Sequence, residues 1–300
     1  MLPEKKNKTP EDFLLDEIEK SGYPLEIKVS SLLDKKWTVV NTDTYWDKDE
    51  GKTRDIDINA YQYIYVEDEV DFTINLSIEC KKSGTHAWVF FTRPYEKGYM
   101  DINGHYLDAE QRFSQSTNIV TLMKLILEPV DLHYWTNKKI GVCYHEFYLQ
   151  GKHKDHDIRD NRKKMTEQKE IFEAQNQVKK YIIDKNSLTM VDEGYPLFID
   201  FYFPCIVYDG KMFEAEVTQK ETKLTETKHV VLAASEPASP NRNYMNFLID
   251  VVHKDYVEEY MKVIECDIEA LVKQIGENRE KVANLIGQAG KRAHDLIETR

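Results

Sequence analysis

Residues 54–82, RDIDINAYQYIYVEDEVDFTINLSIECKK, carry an alternating apolar and polar pattern on both sides of an acidic run. Period-2 alternation predicts two β-strands, at about 55–66 and 72–81, joined by an acidic turn. The first strand opens on Asp55 and Asp57, and the second closes on Glu79, Cys80 and Lys81. Side chains two apart share a face, so Asp55 goes with Asp57 and Glu79 with Lys81. Antiparallel pairing then gathers carboxylates from both strands at one end of the hairpin, beside a lysine. Acids at an otherwise apolar strand end require a compensating charge, and a divalent metal is the obvious one.

The flanking sequence supplies a helix before this hairpin and a sheet around it. Thr9-Pro10-Glu11-Asp12 reads as a helix start, with Thr9 as N-cap, Pro10 at N1 and Asp12 reaching back. That helix stops at Gly22. A second opens at Pro24 and places Leu25, Val29, Leu32 and Leu33 on a buried stripe, with Glu26 beside it. Residues 37–46 are a β-branched and aromatic strand, and 47–52 a turn. Further strands are expected at 86–91, 139–148, 196–210, 212–219 and 244–253, with Ser83-Gly84 and Asp209-Gly210 as turns. Residues 117–128 and the second half of 150–185 read as helices, and 220–242 as a polar surface loop. From 254 to 300 an apolar stripe of helical period runs through Tyr256, Tyr260, Ile264, Ile268 and Leu271, breaks at Gly276 and resumes at Val282.

Composition restricts the function classes. Lys and Arg total 41 against 53 Asp and Glu, a net charge of −12. A surface coated in positive charge for nucleic acid is excluded, while a local basic groove is not. Residues 150–185 are the most basic sizeable stretch, and Gln175 and Lys179 stand i, i+4 on its helix, where they can touch a phosphate backbone. The four cysteines (Cys80, Cys143, Cys205 and Cys266) lie far apart, the pattern of free thiols in a reducing cytoplasm. No signal peptide opens the chain and no apolar run approaches the ~18 residues of a membrane span, so no membrane partner is expected. The Asn75-Leu76-Ser77 sequon then reads as chance. His153 and His156 read as a polar loop, and Trp88, Phe90 and Phe91 as core.

The motifs RDIDINA and LSIECKKS, preceded by an acidic helix, resemble the PD-(D/E)xK nuclease superfamily, an uncharacterised branch of the restriction-endonuclease-like fold. The resemblance is carried by residues 24–92 and extends loosely over the rest. It implies an α/β fold: a restriction-endonuclease-like mixed sheet core flanked by helices, with a helical C-terminal extension. Its boundaries are an N-terminal helix at 1–23, the core with insertions at 24–253, and the extension at 254–300. Asp57 matches the metal aspartate, with Asp55 as the alternate; Glu79 matches the acid and Lys81 the base of the (D/E)xK strand; Glu26 matches the first-helix glutamate. Thr53-Arg54 stand where the signature has a proline.

The implied activity is metal-dependent phosphodiester hydrolysis of nucleic acid, DNA first, in defence or repair. Asp57, Glu79 and the backbone carbonyl of Cys80 are the expected hard oxygen ligands for Mg²⁺ or Mn²⁺, with Glu26 completing the shell. Lys81 is expected to orient or deprotonate the attacking water, or to stabilise charge on the phosphate. The rival reading is an inactive nuclease-fold module for binding or assembly. In it, residues 254–300 recruit a partner protein or a second copy of the chain.

Overall fold

The computed structural model describes residues 9–33, 36–65, 70–95, 125–127, 129–149, 169–188, 197–237, 244–282 and 284. The first helix, α1 (Pro10–Lys20), starts on a complete capping box: Thr9 Oγ1 accepts the Asp12 N–H at 3.1 Å and Asp12 Oδ2 accepts the Thr9 N–H at 3.0 Å. It buries none of its own residues. Its C-terminus is held where Lys82 Nζ donates to the Glu19 carbonyl at 2.5 Å. Helix α2 (Tyr23–Leu32) has Pro24 in its first turn and buries Leu25 and Val29, with Leu33 following. Leu32, placed by period on the same stripe, is exposed.

Three strands follow as an antiparallel meander, β1 (Thr38–Asp47), β2 (Lys52–Tyr65) and β3 (Val70–Pro94). Then come the short helix α3 (His133–Thr136), β4 (Lys139–Tyr148), the long helix α4 (Lys169–Leu188), β5 (Leu197–Val217), β6 (Thr222–Glu226), β7 (His229–Pro237), β8 (Tyr244–His253) and α5 (Val257–Glu277). The strands form one mixed eight-stranded sheet in which β5 runs parallel to β3 and to β8. β3 pairs with β4, β4 meets β7 at a bridge of Gly141 to Leu232, β7 pairs with β8, β8 with β5, and β5 with β3. The pairings therefore return on themselves, with β1–β2 and β6 extending beyond the ring.

Two cores lie on opposite faces. One packs α2 and α5 against Ile58, Phe72, Ile74, Leu76, Ile78 and Cys205, and the other packs α4 against Ile56, Trp88, Phe90, Ile206 and Met212. The face assignments expose a bulge. Even-numbered residues of β3 face the first core up to Cys80, yet Trp88 and Phe90 face the second, and the register with β5 shifts between Lys82 and Ala87. From Lys82 to Ala87 β3 advances five residues while β5 advances two, Asp209 to Lys211, and an odd excess of three residues reverses the faces of the strand.

Three strand expectations are corrected. The run at 86–91 is not a separate strand after a turn at Ser83-Gly84; β3 continues through both residues as far as Pro94. Asp209-Gly210 makes no hairpin, because β5 runs unbroken from Leu197 to Val217 beside β3. Gly210 is instead the residue over which the Tyr208 ring folds; a Cβ there would meet Tyr208 Cζ at 2.4 Å. Residues 220–242 are not all loop, since β6 and β7 occupy 222–226 and 229–237.

α5 spends its apolar stripe on its own domain, burying Tyr260, Ile264, Ile268, Leu271 and Ile275 in the first core, and ends one residue after Gly276. Leu285, Ile286, Ala289, Ala293 and Leu296, the rest of the expected stripe, lie outside the described residues. No helix among the described residues is long and apolar enough to cross a membrane. Asn75 of the sequon is buried in β3.

Candidate functional site

β2 and β3 pair as far as Ile58 with Ile78, and there their ladder ends. The next residues on the two strands are Asp57 and Glu79. Beyond this fork β2 continues beside β1, while β3 at residues 79–82 continues beside β5. Asp57 Oδ2 accepts the Cys80 N–H at 2.6 Å, so a side chain takes over the hydrogen bond that the ladder gives up. Along an extended strand the N–H and C=O of one residue point to the same edge, so the Cys80 carbonyl also faces the fork. The Cys80 side chain goes the other way, into the first core, where burial pushes its thiol well up.

β2 is bent at Asp57. Ile56 and Ile58, two apart, pack in opposite cores, so the alternation that would align Asp55 with Asp57 is interrupted between them. Asp55 is exposed, while Asp57 is partly buried and bonded to β3. Across the β1–β2 ladder, pairs form at Asn41–Ile58 and Asp43–Ile56 but not at the step between, where Thr42 stands opposite Asp57. Thr42 has φ of 60°. A β-branched residue in the left-handed region is strained, and such strain persists only where the surroundings impose it.

Glu79 is 1% exposed; Lys81 Nζ donates to its Oε1 at 2.5 Å, and its Oε2 is buried with no hydrogen-bond partner among the described residues. Burial and then the Asp57 charge push the Glu79 carboxyl up to about 8, against the pull of Lys81. Burial also raises the Asp57 carboxyl, despite its bond from Cys80. Burial opposes the charge on Lys81, but Glu79 and Asp57 outweigh it and raise the ammonium. Glu26, partly buried on α2, is raised by burial, next by the Asp57 charge, and is lowered by Lys81. The four expected residues Glu26, Asp57, Glu79 and Lys81 are thus electrostatic neighbours, with three carboxyls around one ammonium.

The fork is the end of a buried polar row. Thr73, Asn75, Ser77 and Glu79 lie on one face of β3, and all four are buried. Asn59 of β2 stands opposite Ser77. Asn59 Oδ1 and Ser77 Oγ, like Glu79 Oε2, are buried without a partner among the described residues. α4 covers this face. It is fastened to β1 by Tyr181 to Asp43 (2.6 Å), Lys180 to Asp47 (2.9 Å), and the Trp46 N–H to Asp184 (3.0 Å). Gln175 and Lys179 are on its inner side and buried, so a phosphate would reach them only from beneath the helix. His153 and His156 lie outside the described residues.

A second polar cluster was missed by sequence reasoning. His133, His229 and Asp250 bring one ligand atom each within 4.8 Å of one another, and Asp267 and Tyr260 adjoin them. These residues are scattered between 133 and 267 and form no motif. The available signal was an acid in an apolar strand, Asp250 in NFLIDVVH, and another on the buried stripe of α5, Asp267. Against protein-family models, curated proteins and solved structures the chain gives no match.

Proposed function

We propose that the fork between β2 and β3 holds a divalent cation, Mg²⁺ or Mn²⁺, and that the protein hydrolyses phosphodiester bonds of nucleic acid, with DNA as the first substrate class. The observation that carries this reading is Glu79: a buried carboxyl with one oxygen orphaned, beside Asp57 and in contact with Lys81. An unpaired buried carboxylate oxygen costs stability, and a cation is the partner that relieves it. The donor set fits a hard metal, since Glu79, the free oxygen of Asp57 and the Cys80 carbonyl are all oxygen ligands. Such an ion supplies charge against the phosphate and lowers the pKa of bound water.

The protein's own groups supply the remainder. Lys81 is held by Glu79 at the mouth of the fork, where it can orient a water or donate to a phosphate oxygen. Glu26 on α2 is near enough to feel the charges of Asp57 and Lys81. The order of the elements supports a restriction-endonuclease-like core with insertions: the helix that bears Glu26, a three-stranded meander, then, after α3 and β4, the helix α4 and β5 parallel to β3. Four free thiols accord with work in the reducing cytoplasm.

The test is incubation with plasmid and single-stranded substrates in Mg²⁺, Mn²⁺ or EDTA, beside Glu79→Ala and Lys81→Ala. Cleavage that needs the metal and is lost in both variants supports the reading. Cleavage that survives both substitutions sinks the site assignment, and no cleavage by the folded protein under any condition favours the binding module.

A further inference from the structure

On the face of the sheet opposite Glu79, elements from across the chain converge on Asp250, whose carboxyl is fully buried. Asp250 of β8 stands opposite Cys205 of β5, which stands opposite Ile78 of β3, so this cluster lies two strands away from the fork. His133 Nε2 is 3.1 Å from each Asp250 oxygen, and His229 Nε2 is 2.7 Å from Oδ1. The Tyr260 hydroxyl donates to Oδ2 at 2.9 Å. On its other side, His133 Nδ1 is 2.5 Å from Asp267 Oδ2, and the same carboxylate accepts the His133 backbone N–H at 3.1 and 3.2 Å.

We propose that His133, His229 and Asp250 are the protein ligands of one Zn²⁺-class ion, a site separate from the fork, with Asp267 orienting His133. Two imidazole nitrogens and one carboxylate oxygen select a borderline transition metal over Mg²⁺. Tetrahedral zinc separates its donor atoms by about 3.3 Å. The His133–Asp250 and His229–Asp250 pairs at 3.1 and 2.7 Å fall about 0.2 and about 0.6 Å short of that spacing, and all three donor atoms lie within 4.8 Å of one another. Asp267 makes the contact that metal-bound histidines make through their second nitrogen: with Nδ1 donating to Asp267, Nε2, which without metal donates to Asp250, would give up its proton to bind the ion.

The setting is apolar, with Val231, Leu248, Val252 and Ile264 in the same core, so a divalent ion offsets two buried carboxylates. Three protein ligands leave a fourth position open. His229, the one ligand with appreciable exposure, gives the ion its way in. Binding would pin α3, β7 and β8 directly, and α5 through Asp267.

The test strips the full-length protein with a chelator and titrates it with Co²⁺, followed by visible absorption, then by Zn²⁺ displacement and thermal melting. One equivalent of Co²⁺ giving the intense bands of a tetrahedral site, displaced by Zn²⁺, is expected. His229→Ala and the shape-conserving His229→Gln should both abolish the bands, and either one that retains a cooperative melt decides the point. Asp267→Asn should weaken Co²⁺ binding by about 10–100-fold. Glu79→Gln should leave the bands unchanged, which separates this site from the fork. Absence of the bands in the folded wild type, or bands that persist in a folded His229 variant, overturns the assignment and leaves a hydrogen-bonded network without metal.

Discussion

Replacing Glu79 by glutamine should make the metal-free protein less sensitive to rising pH. The unfolded chain releases the Glu79 proton near the ordinary 4.5, whereas the folded protein, by burial, holds it to about 8. A carboxyl raised on folding stabilises the native state fully below the lower value, and the stabilisation is lost as pH climbs to the upper one. At about 1.4 kcal/mol per pH unit, a comparison between pH 5 and pH 8 spans about 4 kcal/mol of this effect. A glutamine side chain does not titrate, so the Glu79→Gln variant lacks this loss. Urea unfolding in EDTA at the two pH values measures the difference directly. Wild type should fall by about 4 kcal/mol more than the variant, with the variant the more stable of the two at pH 8. Parallel pH dependence in the two proteins would refute the claim that Glu79 is buried with a proton to lose.

Two further substitutions test the backbone on either side of the site. Thr42→Gly should stabilise the fold by about 1 kcal/mol, the relief of left-handed strain less the entropy of glycine, and should reduce any cleavage by loosening Asp57; denaturant midpoints and rates check both. Gly210→Ala should cost about 1–3 kcal/mol, because the new Cβ meets the Tyr208 ring, itself stacked on Trp88 at 3.7 Å; a thermal melt no different from wild type would contradict the packing described.

The hairpin, its acids and the flanking helices were legible because each rests on a local signal. Thr9 to Asp12 carries its own cap, Leu25 and Val29 their own period, and the alternation of 72–80 its own strand. What was not legible depends on partners distant in sequence. Ser83-Gly84 and Asp209-Gly210 have turn chemistry, yet the long parallel pairing of β3 with β5 carries both strands straight through. The alternation puts Thr73, Asn75 and Ser77 on one polar face of the strand but does not say what lies over it, and that face is buried in contact with α4. The same burial turns Gln175 and Lys179 inward. The cluster at Asp250 draws on α3, β7, β8 and α5, and a spacing-based search cannot see ligands brought together by four separate elements.

Both polar sites are built at points where strand pairing changes. At the fork, β2 leaves β3 and a carboxylate caps the freed N–H of Cys80. On the proposed reading Asp57 has two tasks, one oxygen for the backbone and one for the ion, and the Cys80 N–H fixes the carboxyl before anything binds. Preorganisation of this kind is what a metal-dependent site needs, and the strain at Thr42 and the raised Glu79 carboxyl are its costs.

The most direct test of the fork is a crystal of the full chain grown with Mn²⁺ and measured at the manganese absorption edge. The account predicts an anomalous difference peak about 2.1 Å from carboxylate oxygens of Asp57 and Glu79 and from the Cys80 carbonyl, lost in Glu79→Gln. No peak between these residues, or one that remains when Glu79 is replaced, would contradict it.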